Sequence, residues 1–260
     1  MQSLRDFVFD TDLFIVAHRG SSGTAPENTL SSIQAAVDAG SQMVEIDVQF
    51  TKDSQVIVFH DDVLGRTTNG TGQVKSSTLL DLKKLDAGSW FAPEYEKETI
   101  PTLEEALSIL KDKLYVNIEI KSPKPGEPAS ARMAKTVETV LELKMEDQTL
   151  FSSFHHPTLA QLKKKYPQLH IAAINVPGDG RLPSDIAKST GCEGFVCSVH
   201  ELTKKRVNDA TSHGIFVGVY TINREQDFQT AMNYGVKALV TNFPARVANW
   251  LKNHSKNQQE

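Results

Sequence analysis

Short β-branched runs alternate with helix-patterned stretches along the whole chain, the rhythm of repeated strand–helix units around a parallel sheet. Eight runs read as strands, at 13–17, 43–49, 115–120, 149–153, 170–174, 194–198, 216–221 and 237–241. Each is followed by a polar turn and a helical pattern, and eight such units in roughly 250 residues predict a closed (β/α)8 barrel of the α/β class. An open, doubly wound sheet is the competing architecture, but no GxGxxG follows the first run. The helix ends agree with the count. Asn28-Thr29 can cap a helix over 30–39 with Gly40 as its stop, and Thr102 followed by Glu104-Glu105 opens another to Leu110. Gly214 and Gly235 end later helices, and Pro244 sits in the first turn of the last.

One segment breaks the rhythm. Residues 56–60 are strand-like, yet they follow the second run by only a few residues, Thr51-Lys52-Asp53-Ser54 among them. A parallel crossover needs a dozen or more residues, so the two runs must form an antiparallel hairpin. Folding about Asp53 sets position 60 opposite position 46 and returns His60 to the neighbourhood of Glu45 and Asp47. The stretch 61–100, with Gly65, Asn69-Gly70, Gly72, Gly88, Trp90, Phe91 and Tyr95, is too long for an ordinary loop. It leaves the second strand on the side where active sites of such barrels are built, and reads as a small insertion over the C-terminal face. Residues 1–260 are expected to form a single domain with a frayed tail at 252–260.

Composition narrows the function. With Lys+Arg 28 against Asp+Glu 32 the net charge is -4, so no overall positive field exists to hold a nucleic acid. The two cysteines, Cys192 and Cys197, have no CxxC or finger spacing and read as buried thiols in a reducing compartment. Arg5, Asp6, Asp10 and Asp12 interrupt any signal-peptide core, and no apolar run approaches the ~20 residues that cross a bilayer. A cytoplasmic protein without stable membrane insertion is expected; the oligomeric state is left open.

The polar residues that a barrel would gather at its C-terminal rim carry the chemistry. The first strand ends in Ala17-His18-Arg19-Gly20, the second carries Glu45 and Asp47, the hairpin returns His60-Asp61, and the third ends in Glu119 and Lys121. Alternation by two puts Glu45 and Asp47 on one face, and likewise Glu119 and Lys121. Three carboxylates on adjacent strands repel unless a positive charge lies among them. All-oxygen ligation favours one hard divalent cation, Mg²⁺ or Ca²⁺. The competing reading is that the carboxylates serve only as ion-pair partners of Arg19 and Lys121. Two imidazoles flanking a cation site suit general acid and base catalysis, although a single histidine at a strand end is usually a core residue. Arg19 offers a planar fork for paired phosphate oxygens and Lys121 a point charge. The set describes phosphoryl transfer, and no GxSxG supports acyl transfer.

The ordered series His18-Arg19-Gly20, Pro26-Glu27-Asn28-Thr29, Glu45-Ile46-Asp47, His60-Asp61, Arg66-Thr67-Thr68-Asn69-Gly70, Ile100-Pro101-Thr102-Leu103-Glu104-Glu105 and Glu119-Ile120-Lys121 resembles the glycerophosphodiester phosphodiesterase family. The resemblance implies a TIM barrel that hydrolyses glycerophosphocholine, glycerophosphoethanolamine and similar small diesters to sn-glycerol 3-phosphate and an alcohol. It implies that Glu45, Asp47 and Glu119 hold the Mg²⁺ or Ca²⁺, that His18 and His60 are the acid and base, and that Arg19 and Lys121 bind phosphate. Glu27 matches a buried partner of Arg19. Two positions depart from the family pattern: Tyr220 stands where tryptophan is usual, which makes it a candidate substrate-binding residue on the glycerol side, and Asn242 stands where aspartate is common. The aromatics Trp90, Phe91, Phe154 and Phe243 are candidate pocket walls, with core packing an equal alternative. Rival functions are phospholipase-type cleavage of intact phospholipids by the same site, and a non-catalytic barrel that binds glycerol phosphates.

Overall fold

The β-branched runs become strands whose alternate side chains point into and out of a closed ring. The computed structural model describes residues 1–123 and 129–257. Its strands are β1 (Phe14–His18), β2 (Met43–Phe50), β3 (Val56–Val58), β4 (Tyr115–Ile120), β5 (Thr149–Ser153), β6 (His170–Ile174), β7 (Gly194–Ser198), β8 (Phe216–Tyr220) and β9 (Ala238–Thr241). Every strand but β3 pairs parallel to its neighbours, and β1 meets both β2 and β9, which closes an eight-stranded barrel. Strand β3 lies outside the ring, antiparallel to β2, with Val48 opposite Val58 and Phe50 opposite Val56. The same register carried two residues further sets position 60 opposite position 46, as the short turn requires. The Phe59 N–H donates to the Asp47 carbonyl at 2.9 Å and holds His60 beside the rim.

Around the ring lie α2 (Leu30–Asp38), α4 (Leu103–Leu110), α5 (Ala129–Glu142), α6 (His156–Lys165), α7 (Pro183–Thr190), α8 (Lys204–Ser212), α9 (Glu225–Tyr234) and α10 (Pro244–Asn257), with α1 (Leu4–Asp10) and α3 (Leu79–Leu82) elsewhere. The caps are those the sequence implies: Thr29 and Thr102 each close a capping box, and Gly235 ends α9 at φ 69°. The main core lies between the outward faces of the strands, such as Val44, Ile46, Val116 and Ile118, and the inward faces of the helices, such as Ile33, Leu103, Leu107 and Leu159. Helix α10 runs on to Asn257, past Leu251 where the tail was expected to begin. Among the described residues no helix is long and apolar enough to cross a membrane.

The N-terminal helix α1 has no counterpart in the strand–helix reading. Its Leu4, Phe7 and Val8 form one cluster with Phe14, Val16, Met43, Tyr115 and Phe216, side chains that line the barrel interior. Phe7 stacks on Tyr115 with centroids 4.2 Å apart. Helix α1 is therefore a plug for the barrel floor, worth on the order of 1.5–3 kcal/mol for each large side chain fully buried. Lys237 donates to the carbonyls of Val8 at 3.3 Å and Phe9 at 2.8 Å and so terminates the plug helix.

The insertion carries its own small core, in which Leu64, Val74, Leu82 and Ala87 pack with Ile57, Phe59 and Ile100 of its two stems. It is tied to the barrel rim by the Tyr95 hydroxyl, which donates to the Thr24 carbonyl at 3.1 Å, and by Arg66 as described below. Trp90 stays 42% exposed at its edge and walls no cavity that reaches the site.

Candidate active site

The turn after β1 is shaped by residues that tolerate a left-handed backbone. Arg19 has φ 56° and Gly20 φ 77°. A Cβ at Gly20 would lie 2.4–2.6 Å from Ser32, mostly from its main chain, so only glycine fits there. The turn aims the Arg19 N–H at Glu45 Oε2, 2.9 Å away, and its guanidinium at Glu27 Oε1, 2.8 Å away, with Nε 3.3 Å from Asp47 Oδ2. Asn28, also left-handed at φ 57°, grips Asp47 twice: its Nδ2 donates to Oδ2 at 2.8 Å, and its Oδ1 accepts from the Asp47 N–H at 3.3 Å.

On the opposite side β4 presents Glu119 and Lys121. Register pairs Glu45 with Asn117 and Asp47 with Glu119, so the carboxylates converge from adjacent strands. Glu45, Asp47 and Glu119 each offer an oxygen within 4.8 Å of the others. The Lys121 ammonium bonds Asp47 and also Glu119, the latter at 2.6 Å. The carboxylates do pair with Arg19 and Lys121, yet the pairing is incomplete. Three acids face two cations, and Glu45 Oε1 is buried with no hydrogen-bond partner among the described residues.

Electrostatics follow from that imbalance. Burial, with Asp47 and Glu119 nearby, pushes Glu45 well above the usual carboxylate range. Burial and Asp47 likewise raise Glu119. For Asp47 burial acts in the same sense but is outweighed by Lys121, Arg19 and His60, which hold it ionised. Lys121 is raised, because Asp47 and Glu119 outweigh the opposing effect of burial. A buried site with one uncompensated acid and an orphaned carboxylate oxygen fits a hard divalent cation, whose charge would reverse the upward shifts.

Two imidazoles border the carboxylates. His18 Nε2 is 4.0 Å from Glu45 Oε2, and its Nδ1 is 2.8 Å from Asn242 Oδ1. Burial and the neighbouring Arg19 pull the His18 pKa down to about 4. His60 Nδ1 bonds Asp61 Oδ1 at 2.6 Å. Arg66, from the insertion, donates its Nε to Asp61 Oδ2 at 2.6 Å and its terminal nitrogens to Glu27 at 2.6 and 2.9 Å. One guanidinium thus ties the partner of His60 to the partner of Arg19.

Both rings open on a cavity of about 240 Å³ walled by Phe154, Ile174, Val196, Tyr220 and Val240. It communicates with an outer basin of about 770 Å³ through His60, Glu119, Lys121 and Phe154, which line both. Phe154 and Tyr220 meet edge to face at 6.4 Å. The Tyr220 phenol is raised to about 12 by burial and Glu201, so it is a neutral hydroxyl.

The eight residues singled out from sequence therefore gather at one rim. Sequence alone assigns Asn242 and Arg66 no part in the site and Asn28 only a helix cap, because their work there lies in tertiary pairing; an asparagine beside a cap and a charged Arg66 next to Gly65 are the available signals. Phe243 packs against Gly23 and under Arg246, at 3.9 Å from its ring centroid, and is a packing residue.

Residues 18–246 match the profile of the glycerophosphoryl diester phosphodiesterase family. The chain is 34% identical over 243 residues to a glycerophosphodiester phosphodiesterase of Caldanaerobacter subterraneus, covering 92% of this chain and 97% of the relative. It is 33% identical to one from Bacillus subtilis, covering 89% and 84% respectively. Its fold is similar to that of an Oleispira antarctica phosphodiesterase solved in complex with the product sn-glycerol-3-phosphate, with a TM-score of 0.86 at 34% identity over 92% of this chain and 96% of the other.

Proposed function

Because the chain belongs to the glycerophosphoryl diester phosphodiesterase family and is an enzyme of that kind, we propose that it hydrolyses glycerophosphocholine, glycerophosphoethanolamine and similar diesters to sn-glycerol 3-phosphate and an alcohol, with one Mg²⁺ or Ca²⁺ bound. The observation that carries the reading is the orphaned Glu45 Oε1 among three converging carboxylates with an imidazole on either side. Glu45, Asp47 and Glu119 would hold the cation, which when bound draws charge from a phosphate oxygen.

The chain's own residues do the rest. His18, neutral at pH 7, donates Nδ1–H to Asn242 and keeps the Nε2 lone pair for a proton taken from the attacking hydroxyl. That hydroxyl is the glycerol's own neighbour of the phosphate; a cyclic phosphate forms, the alcohol leaves, and water then opens the ring. His60, with Nδ1 held by Asp61, gives its Nε2 proton to the leaving oxygen. Lys121 spends two of its three N–H donors on Asp47 and Glu119 and keeps one for phosphate, and Arg19 neutralises the same group. Tyr220 walls the glycerol side.

The whole chain acts as one catalytic domain in this reading, with the insertion positioning His60 through Arg66 and Asp61. Two buried free thiols suit a cytoplasmic enzyme. Release of sn-glycerol 3-phosphate from glycerophosphocholine, followed with cation and with chelator, tests the proposal. No release under either condition overturns it.

A further inference from the structure

Asn117 sits on β4, two residues before Glu119 and beside Glu45 in register, and lines the inner cavity. It is 8% exposed, and its Oδ1 is buried with no hydrogen-bond partner among the described residues. A buried carbonyl oxygen left unpaired costs about 1–3 kcal/mol of stability. Of the cavity's walls, Ile174, Val196 and Val240 are apolar and offer it no partner. A half-turn about its last side-chain bond interchanges oxygen and nitrogen, so the amide can present either a donor or an acceptor to the cavity.

We propose that Asn117 is a specificity-determining residue that hydrogen-bonds a hydroxyl of the glycerol half of the substrate, the inner cavity taking that half and the outer basin the alcohol. Chemistry selects the ligand group. A phosphate can only accept from the amide and a quaternary ammonium can do neither, whereas an alcohol hydroxyl donates and accepts and its carbon chain suits the apolar walls. A site built around a buried polar group rejects the analogue that lacks the matching hydroxyl, because the group is then left unpaired.

The inference rests on the proposed hydrolysis. Calorimetric titration of the full chain, with saturating Mg²⁺, compares sn-glycerol 3-phosphate with n-propyl phosphate, which has the same carbon count and no hydroxyl. Wild type is expected to bind the glycerol compound about 10- to 100-fold more tightly. Asn117→Ala should erase most of that preference by weakening the glycerol compound about 10-fold or more, while propyl phosphate changes less than about 2-fold. Equal weakening of both ligands, or no change in either, overturns the assignment. A crystal structure of the wild type with sn-glycerol 3-phosphate needs no variant: a ligand hydroxyl within ~3.2 Å of the Asn117 amide is expected, and an amide bridged to solvent alone overturns it. Failure of the underlying reading is separate, since wild type would then release no sn-glycerol 3-phosphate from glycerophosphocholine.

Discussion

Asn242 Oδ1 lies 2.8 Å from His18 Nδ1 and fixes which ring nitrogen carries the proton. A neutral amide there leaves the imidazole uncharged, whereas a carboxylate would stabilise the imidazolium and raise its pKa. In Asn242→Asp the base is protonated at higher pH, so the acid limb of the kcat/KM profile should move upward by about one pH unit. Asn242→Leu should lower kcat by about 10-fold or more, as the ring loses its orienting bond. An unmoved acid limb in Asn242→Asp would remove His18 from the base's role.

Arg66 joins Asp61 to Glu27 and so couples the insertion to the partners of both His60 and Arg19. Arg66→Ala should lower kcat by roughly 10-fold, because His60 loses the group that holds its partner. Arg66→Lys keeps the charge but cannot make the fork, and should recover only part of that loss. Steady-state kinetics on both variants check this, and full activity in Arg66→Ala would contradict it.

The same network sets an acid limit on stability. For Glu27 burial favours the neutral form but is outweighed by Arg66 and Arg19, which hold its carboxyl below the usual range. A depressed folded pKa stabilises the protein above the unfolded value of about 4, and that stability is lost as pH falls through the folded value. Urea midpoints should therefore drop more steeply below about pH 4 in wild type than in Glu27→Gln. Parallel curves would show that the ion pairs contribute nothing net.

Glu45 predicts the opposite sign. Its raised pKa means that ionised Glu45 costs stability once pH exceeds the unfolded value, as long as no cation is bound. With chelator at pH 8, Glu45→Gln should melt at or above the wild-type temperature, and added Mg²⁺ or Ca²⁺ should raise wild type but not the variant. A cation shift of equal size in both would displace the ion from these carboxylates.

Most of the fold was legible because it rests on short-range periodicities. Alternation by two places Glu45 with Asp47 and Glu119 with Lys121, and a short turn about Asp53 fixes the register that returns His60 to them. The plug helix was missed although Ser3 caps it and Leu4, Phe7 and Val8 have helical spacing. Seven residues interrupted by acids give a weak pattern, and the barrel floor they fill exists only after the ring closes. The contacts of Asn28 with Asp47 and of Arg66 with Glu27 are illegible for the same reason. Partners 19 and 39 residues apart are chosen by three-dimensional packing, which no local pattern encodes.

The central claim is that the carboxylate triad and the two imidazoles cleave the diester on the alcohol side of phosphorus. Phosphorus NMR of glycerophosphocholine incubated with the protein tests this most directly, because it separates the possible products. The account predicts that sn-glycerol 3-phosphate replaces the diester signal when Mg²⁺ or Ca²⁺ is present, and that chelator, His18→Ala and His60→Ala each suppress it by about 10²-fold or more. Phosphocholine as the product, or undiminished turnover in chelator or in either histidine variant, would contradict it.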